Sequence, residues 1–173
     1  MRNIFSIGET VLDIVFKNFI PVAANPGGAL LNTSVTLGRL GLLINYLSEI
    51  GDDITGKQII NFLNENNINT SYISIYNNCN TSLALAYLDE NNNASYSFYK
   101  SQPEKRMSNI EDVQFKTNDI LIFGSSFSIN IHVRKQLLKL LQKANKSDVL
   151  VIYDPNFRKQ NKGDRNLTLE MIE

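Results

Sequence analysis

The sequence predicts an α/β fold: a doubly wound, mostly parallel sheet with helices on both faces and a small β-lid. Three observations carry this expectation. Short apolar runs alternate along the chain with segments of helical period, the pattern of β/α units lying side by side. Three of the runs stop at Gly8, Gly124 and Asp154, and in such sheets ligands sit outside the carboxyl ends of strands. One pair of runs is joined by a short polar loop instead of a helix, which reads as a hairpin set among the β/α units.

Residues 3–7 form a short apolar run ending at Gly8 and read as a buried strand. Residues 12–16 are a second extended run, interrupted by Asp13. From Ala29 to Leu40 apolar residues recur at helical spacing, and Gly41 follows where a C-terminal glycine cap belongs. That helix is entered through Pro26-Gly27-Gly28. A strand over 42–50, a helix over 55–66 and a strand over 73–75 come next. Residues 81–88 and 94–99, joined by a turn at 89–93, make the hairpin. A buried strand over 119–123, an amphipathic helix over 131–144 and a strand over 149–153 complete the alternation, the last opening into Asp154-Pro155-Asn156-Phe157-Arg158. There is no internal repeat and no low-complexity linker.

Composition narrows the function classes. At 173 residues the chain can bury one substantial core, and 43% hydrophobic with 20% charged residues is the balance of a folded globular protein. Seventeen Lys and Arg balance seventeen Asp and Glu, so no net field draws the chain to nucleic acid or to an anionic membrane surface. The single cysteine, Cys79, has no partner for a disulfide and reads as a partly buried thiol. The N-terminal apolar stretch is too short for a signal peptide, and no run of about 18 apolar residues could span a membrane. The expected location is cytoplasmic.

Several constellations carry chemistry. A carboxylate inside an apolar strand, as at Asp13, needs a partner, because lone charge is costly to bury; the alternative is a turn aspartate before an edge strand. Gly27 and Gly28 at a helix entrance let a ligand approach the backbone, with Asn32 one turn in, or they form a plain loop. Gly51 to Lys57 has the GxxxxGK spacing of a phosphate loop, but Gln58 stands where Ser or Thr would ligate magnesium, and Asp52 and Asp53 occupy the loop. A strand end and turn entering the helix fits better. Arg158 offers a planar donor fork beside a fixed proline, or is a surface residue after a turn. Phe98 and Tyr99 could cover a flat ligand or pack in an interface. His132 begins a helix at a polar position with no acid or nucleophile patterned around it and is expected on the surface.

Gly8-Glu9 with Asp13, the run PGGALLNTSVTLGRLG, EIGDD with Gly56, the FYK of the hairpin and DPNFR together resemble the PfkB or ribokinase-like carbohydrate kinases, most closely fructokinases. They occur in the family's order and span nearly the whole chain. The resemblance implies a ribokinase-like α/β domain over 1–173, with lid strands at about 11–20 and 81–100. It implies transfer of the ATP γ-phosphoryl group to a primary sugar hydroxyl, with Mg2+ and a monovalent cation as cofactors. Carried over by position, Asp13 accepts sugar hydroxyls, Gly27 and Gly28 bring backbone to the sugar, Asn32 adds a side-chain contact, Phe98 covers the substrate and Arg158 sits near its polar end. The resemblance further implies a homodimer through the β-lid, with no nucleic-acid or membrane partner. The family's Asn-x-x-Glu and Gly-Ala-Gly-Asp motifs do not occur before Glu173. The catalytic base and the ATP-binding half are therefore expected beyond it, and no residue here is assigned as catalytic. Fructose is the expected acceptor, with 2-keto-3-deoxygluconate or another sugar of this kinase family as the alternative. A non-catalytic sugar-binding or dimerisation module is the alternative from a different class.

Overall fold

Alternation along β1 (Ile4–Ile7) divides the interior into two cores. Phe5 and Ile7 face one side and Ile4 the other, as the two-residue period of a strand requires. In this computed structural model, which describes residues 2–101, 103, 106–157, 163 and 165–172, that division organises the whole main sheet. On one face, α1 (Ala29–Arg39) and α2 (Ile54–Glu65) bury Leu30, Leu31, Val35, Ile59 and Leu63 against Ile4, Ile44 and Tyr46. On the other, α4 (Ile131–Lys146) buries Val133, Leu137, Leu140 and Ala144 against Phe5, Ile7, Leu121 and Phe123. Helices therefore flank both faces.

The main sheet runs β10-β9-β1-β4-β5, with β6 also paired to β4, and every pairing is parallel. Its further members are β4 (Ile44–Gly51), β5 (Ile68–Asn69), β6 (Ile73–Tyr76), β9 (Ile120–Gly124) and β10 (Leu150–Asp154). The chain winds from β1 outward through β4 and then returns to the other side of β1 with β9. The order thus reverses between β1 and β9, and the carboxyl ends of these two strands frame a crevice.

A second sheet, β3-β2-β7-β8, forms the lid. It consists of β2 (Val11–Lys17), β3 (Ile20–Gly27), β7 (Leu83–Leu88) and β8 (Ala94–Tyr99). The strand β3 departs from the sequence reading, which ends the first lid strand near residue 20 and treats Pro26 to Gly28 only as a helix entrance. It is an exposed edge strand antiparallel to β2, and prolines such as Pro21 and Pro26 are tolerated at strand edges and ends. The structure also adds the short β5, a 3-10 turn at Ser108–Asp112, and two short helices, α3 (Ser125–Ser128) and α5 (Arg165–Glu170).

Buried polar contacts tie the lid to the main sheet. Tyr46, fully buried on β4, donates its hydroxyl to the Glu9 carbonyl at 3.2 Å, and Ser48 donates to the Gly8 carbonyl at 2.7 Å. The Thr10 hydroxyl lies 3.1 Å from the Tyr46 hydroxyl and 2.7 Å from that of Ser48. The passage from β1 into β2 is thereby held by two side chains of the neighbouring strand. At the second passage, Asp53 caps α2 by accepting from the Gly56 amide at 2.7 Å. It also accepts from the Thr81 amide and hydroxyl, both at 2.7 Å, where the chain enters β7.

Two outcomes follow for stability. Burial pushes the Tyr46 phenol up to about 12 from 10.0; hydrogen bonds to Thr10 and Ser48 act against the rise and the Glu9 charge adds to it. The fold therefore favours the neutral phenol, a contribution complete below pH 10 and lost as pH rises toward 12. Urea midpoints measured between pH 9 and 12 are expected to fall more steeply for the wild type than for Tyr46→Phe. For Asp53, burial acts to raise the carboxyl, but the bonds from Gly56 and Thr81 and the Lys57 charge outweigh it and hold it below 3.8. Its contribution is present above that value and fades on acidification. Asp53→Ala is expected to cost about 1–2 kcal/mol at neutral pH, the usual cost of a lost cap, measured by urea unfolding; an unchanged midpoint would remove Asp53 as the pin between α2 and β7.

Candidate functional site

One cleft of about 490 Å3 lies between the lid and the crevice at the β1 and β9 ends. Glu9 follows β1, Ser125 and Ser126 follow β9, and Asn156 follows β10. Gly28, Ala29 and Asn32 bring in the start of α1, and Val11, Asp13, Ala94, Tyr96 and Phe98 come from the lid. Such a concave site with a few convergent polar groups is the usual form of a small-molecule site.

The lid register explains the arrangement. Asn25 pairs with Asp13, Asp13 with Ala84, and Ala84 with Phe98, so these four residues form one row across the sheet on one face. The next row carries Val15, Ala86 and Tyr96. Small Ala84 and Ala86 in the middle strand are buried, and the cleft forms a trough with the Asp13 carboxylate and the aromatic wall of Tyr96 and Phe98 in its lining. Tyr96 and Phe98, two residues apart on β8, stack with centroids 5.9 Å apart and planes 13° apart.

Asp13 is half-buried and makes no hydrogen bond or ion pair among the described residues. Burial pushes its carboxyl above 3.8. A carboxylate placed this way is an acceptor in want of donors. Its orientation depends on Gly27, where an added Cβ would run into the carboxylate itself. Gly28, with φ 132°, caps α1 in a conformation that side chains rarely adopt, and a Cβ there would meet the Glu9 carbonyl.

Of the six residues singled out from sequence, Asp13, Gly28, Asn32 and Phe98 line the cleft, Gly27 stands behind the Asp13 carboxylate, and Arg158 lies outside the described residues. Asn32 is exposed, and its side chain makes no hydrogen bond among the described residues. The sequence reading did not assign Glu9, Tyr96, Ser125, Ser126 or Asn156 to the site. Their signal was positional: each follows or lies on a strand whose end already stood out, and Ser125 and Asn156 adopt positive φ of 54° and 42° just past β9 and β10.

The other features flagged in the sequence fall elsewhere. His132 is exposed, and its amide bonds the Asn130 side chain that caps α4. The phosphate-loop-like segment is a turn: Asp53 occupies its helix entrance, and Lys57 pairs with Asp52 at 3.1 Å. Two cations near the lid are already engaged, Lys100 with Glu9 at 2.5 Å and buried Arg106 with Glu49.

Comparison with known proteins agrees with this geometry. Residues 1–173 match the pfkB family carbohydrate kinase profile. The chain is 24% identical over 159 residues to a fructokinase of Vibrio alginolyticus, covering 91% of this chain and 52% of that one. It is 24% identical over 170 residues to fructokinase-1 of Zea mays, covering 90% and 51%. The chain thus spans about half the length of the curated relatives it matches. Among solved structures, a Vibrio cholerae fructokinase with fructose, ADP and potassium ion bound superposes with a TM-score of 0.83 at 19% identity, covering 99% of this chain and 57% of that one. A sugar kinase of Pyrococcus horikoshii superposes with a TM-score of 0.78 at 23% identity, covering 98% and 58%. With residues 1–173 matching the family and the α/β architecture shared with these structures, the chain belongs to the pfkB family of carbohydrate kinases.

Proposed function

We propose that the cleft is the acceptor-sugar site of a pfkB kinase and that its ligand is a neutral ketohexose, fructose. The observation that carries this reading is Asp13, a half-buried carboxylate without a partner among the described residues, lining one cleft together with an aromatic wall. A sugar supplies what this arrangement lacks: paired hydroxyl donors for the carboxylate and an apolar ring face for Phe98. Gly27 and Gly28 allow the close approach and Asn32 offers a side-chain amide; the family resemblance alone adds Arg158, which lies outside the described residues. An acidic sugar such as 2-keto-3-deoxygluconate asks for a free cation, and of the described cations near the lid Lys100 and Arg106 are each engaged by a carboxylate. Relatives named as fructokinases support the same choice.

The lid's opposite face carries Ile14, Phe16, Leu85 and Tyr87, each partly exposed, with Phe16 stacked on Tyr87 at 5.1 Å. We assign this face to a homodimer contact. ATP and Mg2+ are the family's phosphoryl donor and its counter-ion, but the residues described do not fit them. No group of three His, Cys, Asp or Glu among these residues could hold a metal ion, and the helix entrance with phosphate-loop spacing is filled by Asp53. The phosphoryl donor is accordingly assigned to none of the described residues, and the reading for this polypeptide is a cytoplasmic sugar-binding portion.

Calorimetric titration tests the site. Asp13→Ala removes charge-assisted bonds worth about 1.5–3 kcal/mol each, so fructose affinity is expected to drop at least tenfold while thermal stability holds. An aspartate that merely capped local backbone would give the reverse pattern, and unchanged affinity in a folded variant would remove Asp13 from the site. A coupled assay is expected to register no ATP-dependent phosphorylation of fructose by this polypeptide; turnover free of host kinase would overturn that part of the proposal.

A further inference from the structure

Phe98 stands beside the cleft on the least supported strand of the lid. β8 is an edge strand bonded only to β7, and all six of its residues are exposed. Its own packing does not decide how far the ring reaches toward Asp13. The residue that ends the strand supplies that constraint. Lys100 places Nζ 2.5 Å from Glu9 Oε1 and 5.3 Å from the centroid of the Phe98 ring. Among the described residues this is the only ion pair linking the end of β8 to the end of β1.

The anchor at the far side is itself fixed. Tyr46 and Ser48 hold the carbonyls of Glu9 and Gly8, so the Glu9 backbone belongs to the main sheet and not to the lid. The paired side chains are 32% and 22% exposed, and water screens such a pair less than it screens a free surface pair. The ammonium therefore lies between a fixed carboxylate and a ring whose negative face attracts it. It also has an electrostatic effect on the ligand site. Glu9 and Asp13 both line the cleft, and pairing Glu9 leaves Asp13 as the only carboxylate there not neutralised by a cation among the described residues.

We propose that Lys100 is a positioning residue of the cleft: anchored on Glu9, it sets the height of the Phe98 ring over the ligand and removes the Glu9 charge from beside Asp13. The ligand's identity rests on the sugar-binding reading above; the anchoring of β8 does not.

The experiment compares the wild-type chain with Lys100→Met, Lys100→Arg and Glu9→Gln. Hydrogen exchange of the β8 amides is followed by peptide mass spectrometry, and fructose is titrated by calorimetry. Loss of the anchor is expected to speed β8 exchange by about tenfold in Lys100→Met and Glu9→Gln, with β1 unaffected, because an edge strand opens locally when its end is released. Fructose affinity is expected to fall about three- to tenfold in the same two variants. Lys100→Arg, which keeps the charge, should restore both. Glu9→Gln breaks the pair from the main-sheet side and decides the matter should Lys100→Met fail to fold. Unchanged β8 exchange in Glu9→Gln, or faster exchange with intact fructose affinity, overturns the proposal. A wild-type chain that does not titrate with fructose would refute the sugar reading separately. The anchor is then judged on exchange alone: protection that is lost and then restored by Lys100→Arg supports it, and unchanged protection overturns it.

Discussion

A carboxylate that the fold half-buries, and that has no partner among the described residues, sets the constraint on this structure. Asp13 lies inside β2, whose backbone is committed on one side to β3 and on the other to β7, so the residue cannot retreat to solvent without breaking two ladders. Gly27 permits the carboxylate to turn toward the cleft, because any side chain there would occupy the same space. The arrangement carries a desolvation cost, visible in the raised carboxyl pKa, and nothing within the described chain offsets it. Charge held at a cost in one strand, with a glycine beside it whose Cβ would collide with it, is the observation on which the proposed ligand contact rests.

The placement of that carboxylate follows from topology. Because the strand order reverses between β1 and β9, the ends of these two strands diverge and open a crevice that no side chain of the sheet can close. β1 continues into β2 through Glu9 and Thr10, so the lid begins at the crevice. Tyr46, Ser48 and Thr10 hold that junction through hydroxyl groups buried in an otherwise apolar face. A buried polar network of this kind specifies one geometry, since any shift leaves hydroxyl or carbonyl groups unpaired.

What the sequence made legible was local. The helices α1, α2 and α4 announced themselves by apolar period, and β1, β9 and β10 by short apolar runs. Asp13 was conspicuous as an acid among apolar neighbours, and Gly27-Gly28 by their position before a helix. The strand β3 was not legible. Its residues are almost all exposed, so no buried face imposes alternation on IPVAANPG, and its two prolines read as loop. Nor was the row from Asp13 through Ala84 to Phe98 legible, since its first step is a register between strands 71 residues apart, even though the second lies within one hairpin. The family resemblance pointed to Phe98, but no local pattern could show Tyr96 beside it, or Ser125 and Asn156 turned by positive φ at the ends of β9 and β10. The partners of Lys100 and Arg106 were equally invisible, because Glu9 and Glu49 reach them across the fold.

The lid meets the main sheet at four places, and each is held differently. The exit from β1 is held by buried hydroxyls, and the return from β3 into α1 passes through two glycines in close contact with Asp13 and Glu9. The entry to β7 is held by Asp53, and the way back from β8 passes Lys100 on Glu9 and then Arg106 on Glu49. Three of these attachments are short-range and buried or capped; the fourth includes an ion pair open to water. Preorganised walls lower the entropy a ligand must overcome on binding, so the trough around Asp13 is set before any ligand arrives. The strand that carries both aromatic rings, β8, is bonded to the lid on one side only, and all six of its residues are exposed. The lid's polar residue is thus fixed between two ladders and a glycine, whereas its aromatic pair rests on one ladder and one ion pair.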